Sequence, residues 1–375
     1  MKVEFFRHNL SDDDIKRVER ILHGVILTTG EEVKDFERRF ASYLDVSHVI
    51  GLTSCTAALH LSLIACGVGP GDEVITTPMT FIATINAIEY VGAIPVFVDT
   101  EPDTALIDPA RIERAITKKT KAIIPVHLYG QMCDMEVIRR IADSHGLKVI
   151  EDSAHAIESG CGEIKPGRLG DVACFSFYAT KNITSGEGGA AVTNSEEIAE
   201  KLRLLRLHGM SASAADRYNS KFRHWDMETL GWKYNMTNIQ AAMLIGQLER
   251  IEERLQRREE IAQRYERVFS DLEGVDFPVT CGGHKSARHL FTIWVESSKR
   301  DDILLRLQER GIGVAVNYRS VHLLKFYREK YKFNRGSFPN AERIGDSTIS
   351  IPLYPGLKDE EVEYVIDTVS SVVES

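Results

Sequence analysis

The sequence predicts an α/β protein of two parts. A large domain has a mostly parallel sheet as the middle layer of a three-layer sandwich, and a smaller α+β domain follows it. Short apolar runs alternate with stretches of helical spacing over the first two thirds of the chain, which is typical of parallel strands covered by helices on both faces. The 375 residues, 43% of them hydrophobic, are enough for two or three domains. We expect the large domain over residues 1–245 and the small one over 246–375.

The large domain can be assigned element by element. Ser11 begins an amphipathic helix that ends at Gly24, and a second helix carries the apolar residues of 33–44. Strands are then predicted at residues 48–53, 73–77, 94–98, 122–127, 147–150, 172–177 and 189–193. The helices between and after them are predicted at residues 56–66, 81–91, 111–116, 135–145 and 196–207.

The rest of the chain has a different order of elements. An irregular polar stretch runs to about Lys233, and one long helix follows from Thr237 to about Phe269. This helix changes from apolar to charged after Ile245, as expected of a connector between two domains. The small α+β domain is predicted from a strand, a helix, a strand and a last helix at residues 290–295, 301–310, 314–317 and 360–372.

Composition excludes several classes of function. The net charge is −9, so a long nucleic acid is a disfavoured partner. No apolar run approaches the roughly 18 residues of a membrane span, and the first seven residues become charged too early for a signal peptide, so we expect a cytoplasmic protein. The six cysteines contain no Cys-x-x-Cys pair and the twelve histidines no His-Glu-x-x-His motif, so no metal site is expected.

Polar side chains stand at the ends of predicted strands, where open α/β sheets bind their ligands. Ser54, Cys55 and Thr56 lie where a strand turns into a helix, and their hydroxyls and backbone amides suit a phosphate monoester, although Ser54 could simply cap the helix. Asp152 ends another strand, with His155 three residues later. This carboxylate could bind a metal, act as a base, face a protonated ring nitrogen or cap a helix.

Two further places complete the pattern. Lys181 follows an apolar strand that contains Ser176 and precedes a glycine-rich turn. Burial would disfavour its ammonium form and make the amine a nucleophile toward aldehydes, whereas most lysines are solvated surface groups. Asn235 lies just before the long helix, in a segment that could serve only as a cap. A phosphate turn, a strand-end carboxylate and a lysine, in this order, are what a pyridoxal phosphate enzyme needs.

The same segments resemble the sugar aminotransferases of the DegT/DnrJ/EryC1/StrS family, which belong to the fold type I pyridoxal phosphate enzymes. The resemblance runs through nearly the whole chain. Its motifs form an ordered set at residues 27–30, 54–59, 71–75, 151–155, 181–189 and 234–236. The resemblance implies pyridoxal 5′-phosphate as the cofactor and ping-pong transfer of an amino group.

The resemblance also implies roles for individual residues. Lys181 is implied to form the Schiff base with the cofactor, and Asp152 to pair with its pyridinium nitrogen. Phe81 is implied to stack on the cofactor ring, and His155 to lie near its phenolic oxygen. Asn235 is implied to reach the phosphate in the neighbouring subunit, which makes the active unit a homodimer with shared sites. The phosphate turn is implied to contain Ser54, Cys55, Thr56 and Ser176.

The implied acceptor is a keto sugar linked to a nucleotide diphosphate, with L-glutamate as the expected donor. Residues 177–184 and 326–329 look most like members that aminate a UDP-4-keto sugar, of the 4-amino-4-deoxy-L-arabinose type or a 4-amino-4,6-dideoxy sugar, for cell-surface polysaccharide or lipid A. The sequence departs from many relatives at Tyr178, where they carry His. The expected substrate contacts are Thr29, Tyr318 and His322, with Arg288, His289 and Arg319 as further candidates, and an ordinary solvated surface is the alternative.

Three other functions are weaker alternatives. A nucleotide-sugar dehydratase with the same cofactor would carry His in place of Lys181. A cofactor-binding regulator without turnover has no support from a helix-turn-helix pattern or a basic charge balance. A nicotinamide-dependent oxidoreductase would need a Gly-x-Gly-x-x-Gly motif after the first strand, and none is present.

Overall fold

The structure, a computed structural model, describes residues 1–211 and 224–375. Residues 212–223, part of the polar stretch predicted before Lys233, lie outside the described residues. In chain order the strands are β1 (His48–Leu52), β2 (Glu73–Thr76), β3 (Ile94–Phe97), β4 (Thr120–Ile124), β5 (Lys148–Asp152), β6 (Gly160–Cys161), β7 (Val172–Ser176), β8 (Gly189–Thr193), β9 (Val275–Asp276), β10 (His284–Lys285), β11 (Phe291–Val295) and β12 (Thr348–Ile351). The helices are α1 (Asp12–Leu22), α2 (Glu31–Leu44), α3 (Cys55–Ala65), α4 (Ile82–Tyr90), α5 (Ile112–Ala115), α6 (Met135–His145), α7 (Glu196–Leu205), α8 (Asn238–Glu249), α9 (Ile251–Phe269), α10 (Arg300–Glu309), α11 (Lys325–Tyr331), α12 (Pro339–Ser347) and α13 (Asp359–Val373).

A seven-stranded sheet is the centre of the large part of the molecule. Its strand order is β1-β8-β7-β5-β4-β2-β3. The strands from β7 to β3 pair in parallel, and β8 runs antiparallel to both of its neighbours. The predicted mostly parallel sheet is confirmed.

Helices cover both faces of this sheet. Alternate strand residues point to opposite faces, so Val172 and Cys174 join a core with α3 and α7, whereas Ala173 and Phe175 join a core with α2 and α8. Further along the sheet, α6 packs on the same face as α2. Two helical layers around one sheet confirm the predicted three-layer sandwich.

The long helix predicted from Thr237 to Phe269 is wrong at one point. The chain leaves helical geometry at Arg250, with φ −109° and ψ 12°, which divides the segment into α8 and α9. The Arg250 guanidinium is held across the break by Asp14 at 2.7 Å and by Ser11 at 3.2 Å. Contacts from α1 therefore fix this corner, and they lie more than 230 residues away in sequence.

The C-terminal part is built on a small antiparallel sheet of order β12-β11-β9. The predicted strand at 290–295 and the helices at 301–310 and 360–372 correspond to β11, α10 and α13. The predicted strand at 314–317 is wrong, because only Ala315 pairs there, with Ser350. The elements of this part that the sequence interpretation did not assign are β9, β10, α11, α12 and β12.

The two parts are joined by more than the α8–α9 corner. β6 pairs with β10, and Val3 pairs with Ile312 and is buried in the C-terminal core. The bounds of 1–245 and 246–375 for two domains stay a prediction.

Candidate active site

The carboxyl edge of the large sheet brings several predicted site residues together. β5 ends at Asp152 and β7 at Ser176, and the ends of parallel neighbours meet at one edge. Cys55, the first residue of α3, places its Sγ 3.9 Å from Asp152 Oδ1. Lys181 lies in the loop after β7, close enough for its charge to lower the pKa of Asp152. The helix start, the carboxylate and the lysine are thus neighbours.

Asp152 is a buried carboxylate with few partners. Its Oδ2 accepts a hydrogen bond from Thr84 Oγ1 at 2.7 Å, and its Oδ1 accepts one from the backbone N–H of Ala154 at 3.2 Å. Burial raises the pKa of Asp152, and these two bonds oppose the rise. A cation placed beside the carboxylate would favour its ionised form. The site is therefore suited to hold a protonated ring nitrogen.

Lys181 is half-buried, and its ammonium form is disfavoured. Burial lowers the pKa of Lys181 to about 8, although the nearby Cys55 and Asp152 act in the opposite direction. Its Nζ lies 3.3 Å from His289 Nε2, and no carboxylate forms an ion pair with it among the described residues. The amine is thus available as a nucleophile and a proton carrier at ordinary pH.

The lowered pKa predicts how Lys181 captures an aldehyde. With a pKa of about 8, about a tenth of the amines are neutral at pH 7, against fewer than about one in a thousand for an ordinary lysine. The neutral fraction increases with pH, so the initial rate at which cofactor-free protein captures pyridoxal phosphate should rise through pH 8 and level off above about pH 9. Stopped-flow absorbance measures this rate. In Lys181→Ala, only slow capture by surface lysines should remain, still rising at pH 10; the same profile in both proteins would contradict the assignment.

Two histidines lie against each other beside this lysine. The ring centroids of His155 and His289 are 4.3 Å apart. The backbone N–H of Tyr129 donates to His155 Nδ1 at 3.2 Å, so a neutral His155 carries its proton on Nε2 and donates it to Tyr318 Oη at 3.2 Å. Burial and the charge of Lys181 hold the pKa of His155 well below its usual range. The ring is therefore neutral.

An exposed aromatic ring borders the same place. Phe81, at the N-terminus of α4, is 52% exposed, and its centroid lies 5.5 Å from that of Tyr318. An apolar ring that is left open at the mouth of a polar site can stack on a planar ligand.

The first turn of α3 has the features expected of an anion site. Ser54 is its N-cap and accepts a hydrogen bond from the backbone N–H of Ala57 at 3.0 Å. Capping and phosphate binding are compatible, because further amides at the helix start are free of intrahelical partners. Cys55 is buried, and Thr56 is half-buried on the first turn.

The glycine-rich turn packs tightly on this helix start. A Cβ atom on Gly189 would lie 2.2 Å from the Ser54 carbonyl carbon, so only glycine allows β8 to begin there. Ser176, at the end of β7, accepts a hydrogen bond from the backbone N–H of Tyr178 at 3.4 Å and is almost buried.

Asn235 and Thr29 form a separate pair at the outer edge of the sheet. Asn235 pairs with Leu52, the last residue of the edge strand β1. Its Nδ2 donates to Thr29 Oγ1 at 2.7 Å, and both residues line an open cleft of about 700 Å³ that α7 also borders. No hydrogen bond between this pair and Lys181 is found in the described part of the chain.

The other predicted substrate residues divide into two groups. Tyr318 faces His155, as described above. His322 is fully buried, and its Nε2 lies 3.1 Å from Glu342, so this placement gives no support to a substrate contact, which stays a prediction. Arg288 is engaged by Glu259 at 2.7 Å and also by Glu266.

The sequence interpretation missed the polar groups behind the site. Thr84 on Asp152 is one, and a buried pair of Glu158 and Arg258 is another. Asn182, the residue after Lys181, donates to Glu158 at 2.8 Å. Glu158 and Arg258 are 100 residues apart and carry no local signal, since only tertiary structure brings them together.

Loss of the arginine should destabilise the protein strongly. The side chains of Glu158 and Arg258 are at most 2% exposed, so Arg258→Met leaves a carboxylate buried without its counter-ion. We expect the free energy of unfolding, measured in urea, to fall by about 3–5 kcal/mol. Adding Glu158→Gln should recover much of this loss. The control Lys201→Ala breaks an exposed pair with Glu197 and should cost at most about 1 kcal/mol; an equal cost for both single variants would contradict the prediction.

Neither a metal site nor a membrane-spanning helix is found in the described residues. No group of three or more His, Cys, Asp or Glu side chains is arranged to hold a metal ion there. In residues 1–211 and 224–375, no helix is both long and apolar enough to cross a membrane.

The residues at the sheet edge fit pyridoxal 5′-phosphate. Lys181 provides an amine with a lowered pKa for the aldehyde, and Asp152 provides a buried carboxylate for the ring nitrogen. Ser54 and the start of α3 provide a hydroxyl and amides for the phosphate, and Phe81 provides an open ring.

Comparisons with known proteins agree with this fit. A model of the DegT/DnrJ/EryC1/StrS aminotransferase family matches residues 8–370. The spore coat polysaccharide biosynthesis protein SpsC of Bacillus subtilis (strain 168) is 41% identical over 370 residues, which are 97% of this chain and 95% of SpsC. The structure of Spr1654 from Streptococcus pneumoniae, assigned as a sugar aminotransferase, superposes with a TM-score of 0.94 at 34% identity and covers 100% of this chain and 99% of its own. PseC of Helicobacter pylori, an aminotransferase involved in the biosynthesis of pseudoaminic acid, gives 0.93 at 30% identity, with both chains covered completely, at 100%.

The cofactor is established by the same comparisons. Spr1654 is known in both a PLP form and a PMP form, the two states between which an aminotransferase alternates. Pyridoxal 5′-phosphate is the cofactor of this protein as well. The chain belongs to the DegT/DnrJ/EryC1/StrS aminotransferase family, and it is a pyridoxal phosphate-dependent sugar aminotransferase.

Proposed function

We propose that this enzyme transfers the amino group of L-glutamate to the keto group of a nucleotide-linked sugar, with a UDP-4-keto sugar as the favoured acceptor. The observation that carries the reaction is that a lysine whose pKa is lowered to about 8 and a buried carboxylate lie at the same edge of the sheet. The names of two relatives support the sugar pathway, since SpsC is a spore coat polysaccharide biosynthesis protein and PseC acts in pseudoaminic acid biosynthesis. We extend this to sugars of cell-surface polysaccharide or lipid A.

The roles of the residues follow from their surroundings. When bound, pyridoxal phosphate supplies an aldehyde that carries the amino group and a ring that accepts electrons. Asp152 holds a proton at the ring nitrogen, because its ionised form is favoured by that positive charge. Lys181, once its amine is free, takes the proton from the donor Cα and returns it, and its pKa near neutrality allows both steps.

Other side chains are proposed to bind and orient. Phe81 covers one face of the ring, and His155 faces the phenolic oxygen. The phosphate is held by the α3 turn, with Ser54, Cys55 and Thr56, and by Ser176. These assignments are supported by the common edge at which the side chains lie.

We propose that the active unit is a homodimer. Asn235 and Thr29 lie in an open cleft and form no hydrogen bond with Lys181 of the same chain among the described residues. A second copy placed on this cleft would receive Asn235 at its phosphate and Thr29 at its sugar. Tyr318 and His322 complete the proposed substrate contacts from within the chain.

The experiment is a panel of UDP- and dTDP-linked keto sugars, each incubated with the purified protein and L-glutamate, with L-aspartate and L-alanine as alternative donors. Mass spectrometry should detect an amino sugar and an equal amount of 2-oxoglutarate, fastest with a UDP-4-keto sugar. Loss of water from the sugar without amino transfer would identify a dehydratase instead. A protein that binds the cofactor but turns over no member of the panel would favour a regulator.

A further inference from the structure

A line of hydrogen bonds leads from the Lys181 amine to the buried ion pair between Glu158 and Arg258 of α9. Lys181 Nζ lies 3.3 Å from His289 Nε2. His289 Nδ1 lies 3.0 Å from Asn182 Oδ1, and Asn182 Nδ2 donates to Glu158 at 2.8 Å. Glu158 in turn is paired with Arg258. The reacting amine is therefore connected to side chains from both parts of the molecule.

The direction of each bond follows from its fixed end. Asn182 Nδ2 faces the carbonyl oxygen of Ala287 at 3.0 Å, which can only accept, and it also donates to the carboxyl group of Glu158, with which Arg258 pairs. This fixes the amide, so Asn182 Oδ1 is the atom that faces His289. An amide oxygen accepts, and His289 Nδ1 must therefore carry the ring proton.

His289 carries only that one proton. Burial, followed by the charge of Lys181, holds the pKa of His289 well below its usual range, and His155 and Arg258 act in the same direction. With Nδ1 protonated in a neutral ring, Nε2 has a free lone pair. The Lys181 amine must then be the donor in the contact at 3.3 Å.

We propose that His289 holds one N–H of the neutral Lys181 amine through Nε2, and that Asn182 and Glu158 set the tautomer that lets it do so. The lone pair of the amine stays free to take the donor Cα proton, and the second N–H makes no bond in this line. His289 is a catalytic residue in this scheme, since it touches the reacting atom, and Asn182 and Glu158 are positioning residues. The inference rests on the proposed function, in which Lys181 carries that proton.

Asn182 supports the reacting amine in two ways. Its backbone follows Lys181 directly, and its side chain orients the histidine that faces the same amine. In a purely structural role, the bond from Asn182 to the Ala287 carbonyl would only tie the segment before β11 to the large domain. If the role is only structural, removing the Asn182 side chain should leave the His289 tautomer and the rate of proton transfer unchanged. If Asn182 positions His289, the removal should change both.

The first test measures the tautomer itself. Protein labelled with ¹⁵N-histidine is loaded with pyridoxamine 5′-phosphate, the form in which the Lys181 amine is free, and long-range ¹H–¹⁵N correlation spectra are recorded. The His289 signal is assigned by its loss in His289→Gln. We expect the Nδ1–H tautomer in the native protein and a mixture of both tautomers in Asn182→Ala. A native His289 that carries its proton on Nε2 would overturn the proposal.

The second test measures proton transfer in the glutamate half-reaction, with and without deuterium at the donor Cα. Asn182→Ala should slow the step about tenfold, as expected for one net hydrogen bond, and His289→Phe at least as much, and both should increase the deuterium isotope effect. His289→Gln, whose amide oxygen can accept from Lys181, should recover most of the rate. The control Asn194→Ala also removes an asparagine with two hydrogen bonds, to Ser47 and Gly167, and should change neither quantity.

An unchanged isotope effect in both Asn182→Ala and His289→Phe would show that the line is only structural. If the native protein fails to react with glutamate, the donor in the proposed function is wrong. The tautomer measurement still decides the inference in that case, because it needs no donor.

Discussion

Lys181→Ala should reduce amino transfer by at least about a thousandfold while the protein stays folded. General acid–base catalysis alone contributes about 10²–10⁴-fold, and this variant also loses the covalent link to the cofactor. The fold should tolerate the change, because the side-chain amine makes one hydrogen bond within residues 1–211 and 224–375, to His289, and its buried ammonium form is unfavourable. Single-turnover conversion of the donor to its keto acid measures the rate.

The control for this variant is Lys201→Ala on the surface of α7, where an exposed lysine pairs with Glu197 at 2.7 Å. It should keep the native rate. Circular dichroism and the melting temperature should be the same for both variants. Turnover of Lys181→Ala within tenfold of the native protein would remove Lys181 from the reaction.

Asp152→Asn should separate catalysis from stability. The amide has the size of the carboxylate and can still accept from Thr84, but it cannot hold a proton at the ring nitrogen by charge. We expect the rate of the first half-reaction to fall by about 10²–10³-fold, as for the loss of one preorganised electrostatic contact. Without the cofactor, Asp152→Asn should melt at the same temperature as the native protein or higher. Burial raises the pKa of Asp152, so the native fold contains a desolvated charge that destabilises it, and the variant removes this charge.

The sign of the pH effect is part of this prediction. A folded-state pKa above the unfolded value means that Asp152 destabilises cofactor-free protein at pH above its unfolded pKa, and that this cost disappears as the pH falls and the group is protonated in both states. The gain in stability of cofactor-free protein from Asp152→Asn should therefore be largest at neutral pH. The control Asp143→Asn, on the exposed surface of α6, makes the same chemical change and should leave rate and melting temperature unaltered. Equal rates for the two variants would rule out the role of Asp152.

The sequence predicted the large sheet well, and it placed the proposed reactive residues at one edge of that sheet, for a physical reason. Parallel strands buried on both faces leave unbroken apolar runs, and the ends of such strands must meet at one edge. Asp152 and Lys181 therefore had local signals, a carboxylate at the end of one run and a lysine shortly after another. The family resemblance then supplied the cofactor that joins them.

The hydrogen-bond partners of the groups that support the site had no such signal, and the sequence offered His289 only as a candidate substrate contact. His289, Asn182 and Glu158 come from separate parts of the chain, and their partners depend on how the C-terminal part meets the sheet. The segment at 314–317 shows the same limit, because here a local pattern predicted a strand that the tertiary structure does not form. Its apolar pattern is typical of a strand, but the chain leaves the pairing after Ala315 and carries Tyr318 to His155.

The break at Arg250 also means that a small change in the angle between α8 and α9 moves Arg258. Arg258 lies eight residues beyond the break, about 12 Å along the helix axis at 1.5 Å per residue. A tilt of only about 5° at the break would displace Arg258 by about 1 Å, enough to weaken its contact with Glu158. Small rotations of α9 are thus amplified at the ion pair behind Lys181, so the angle between the two helices has a narrow tolerance.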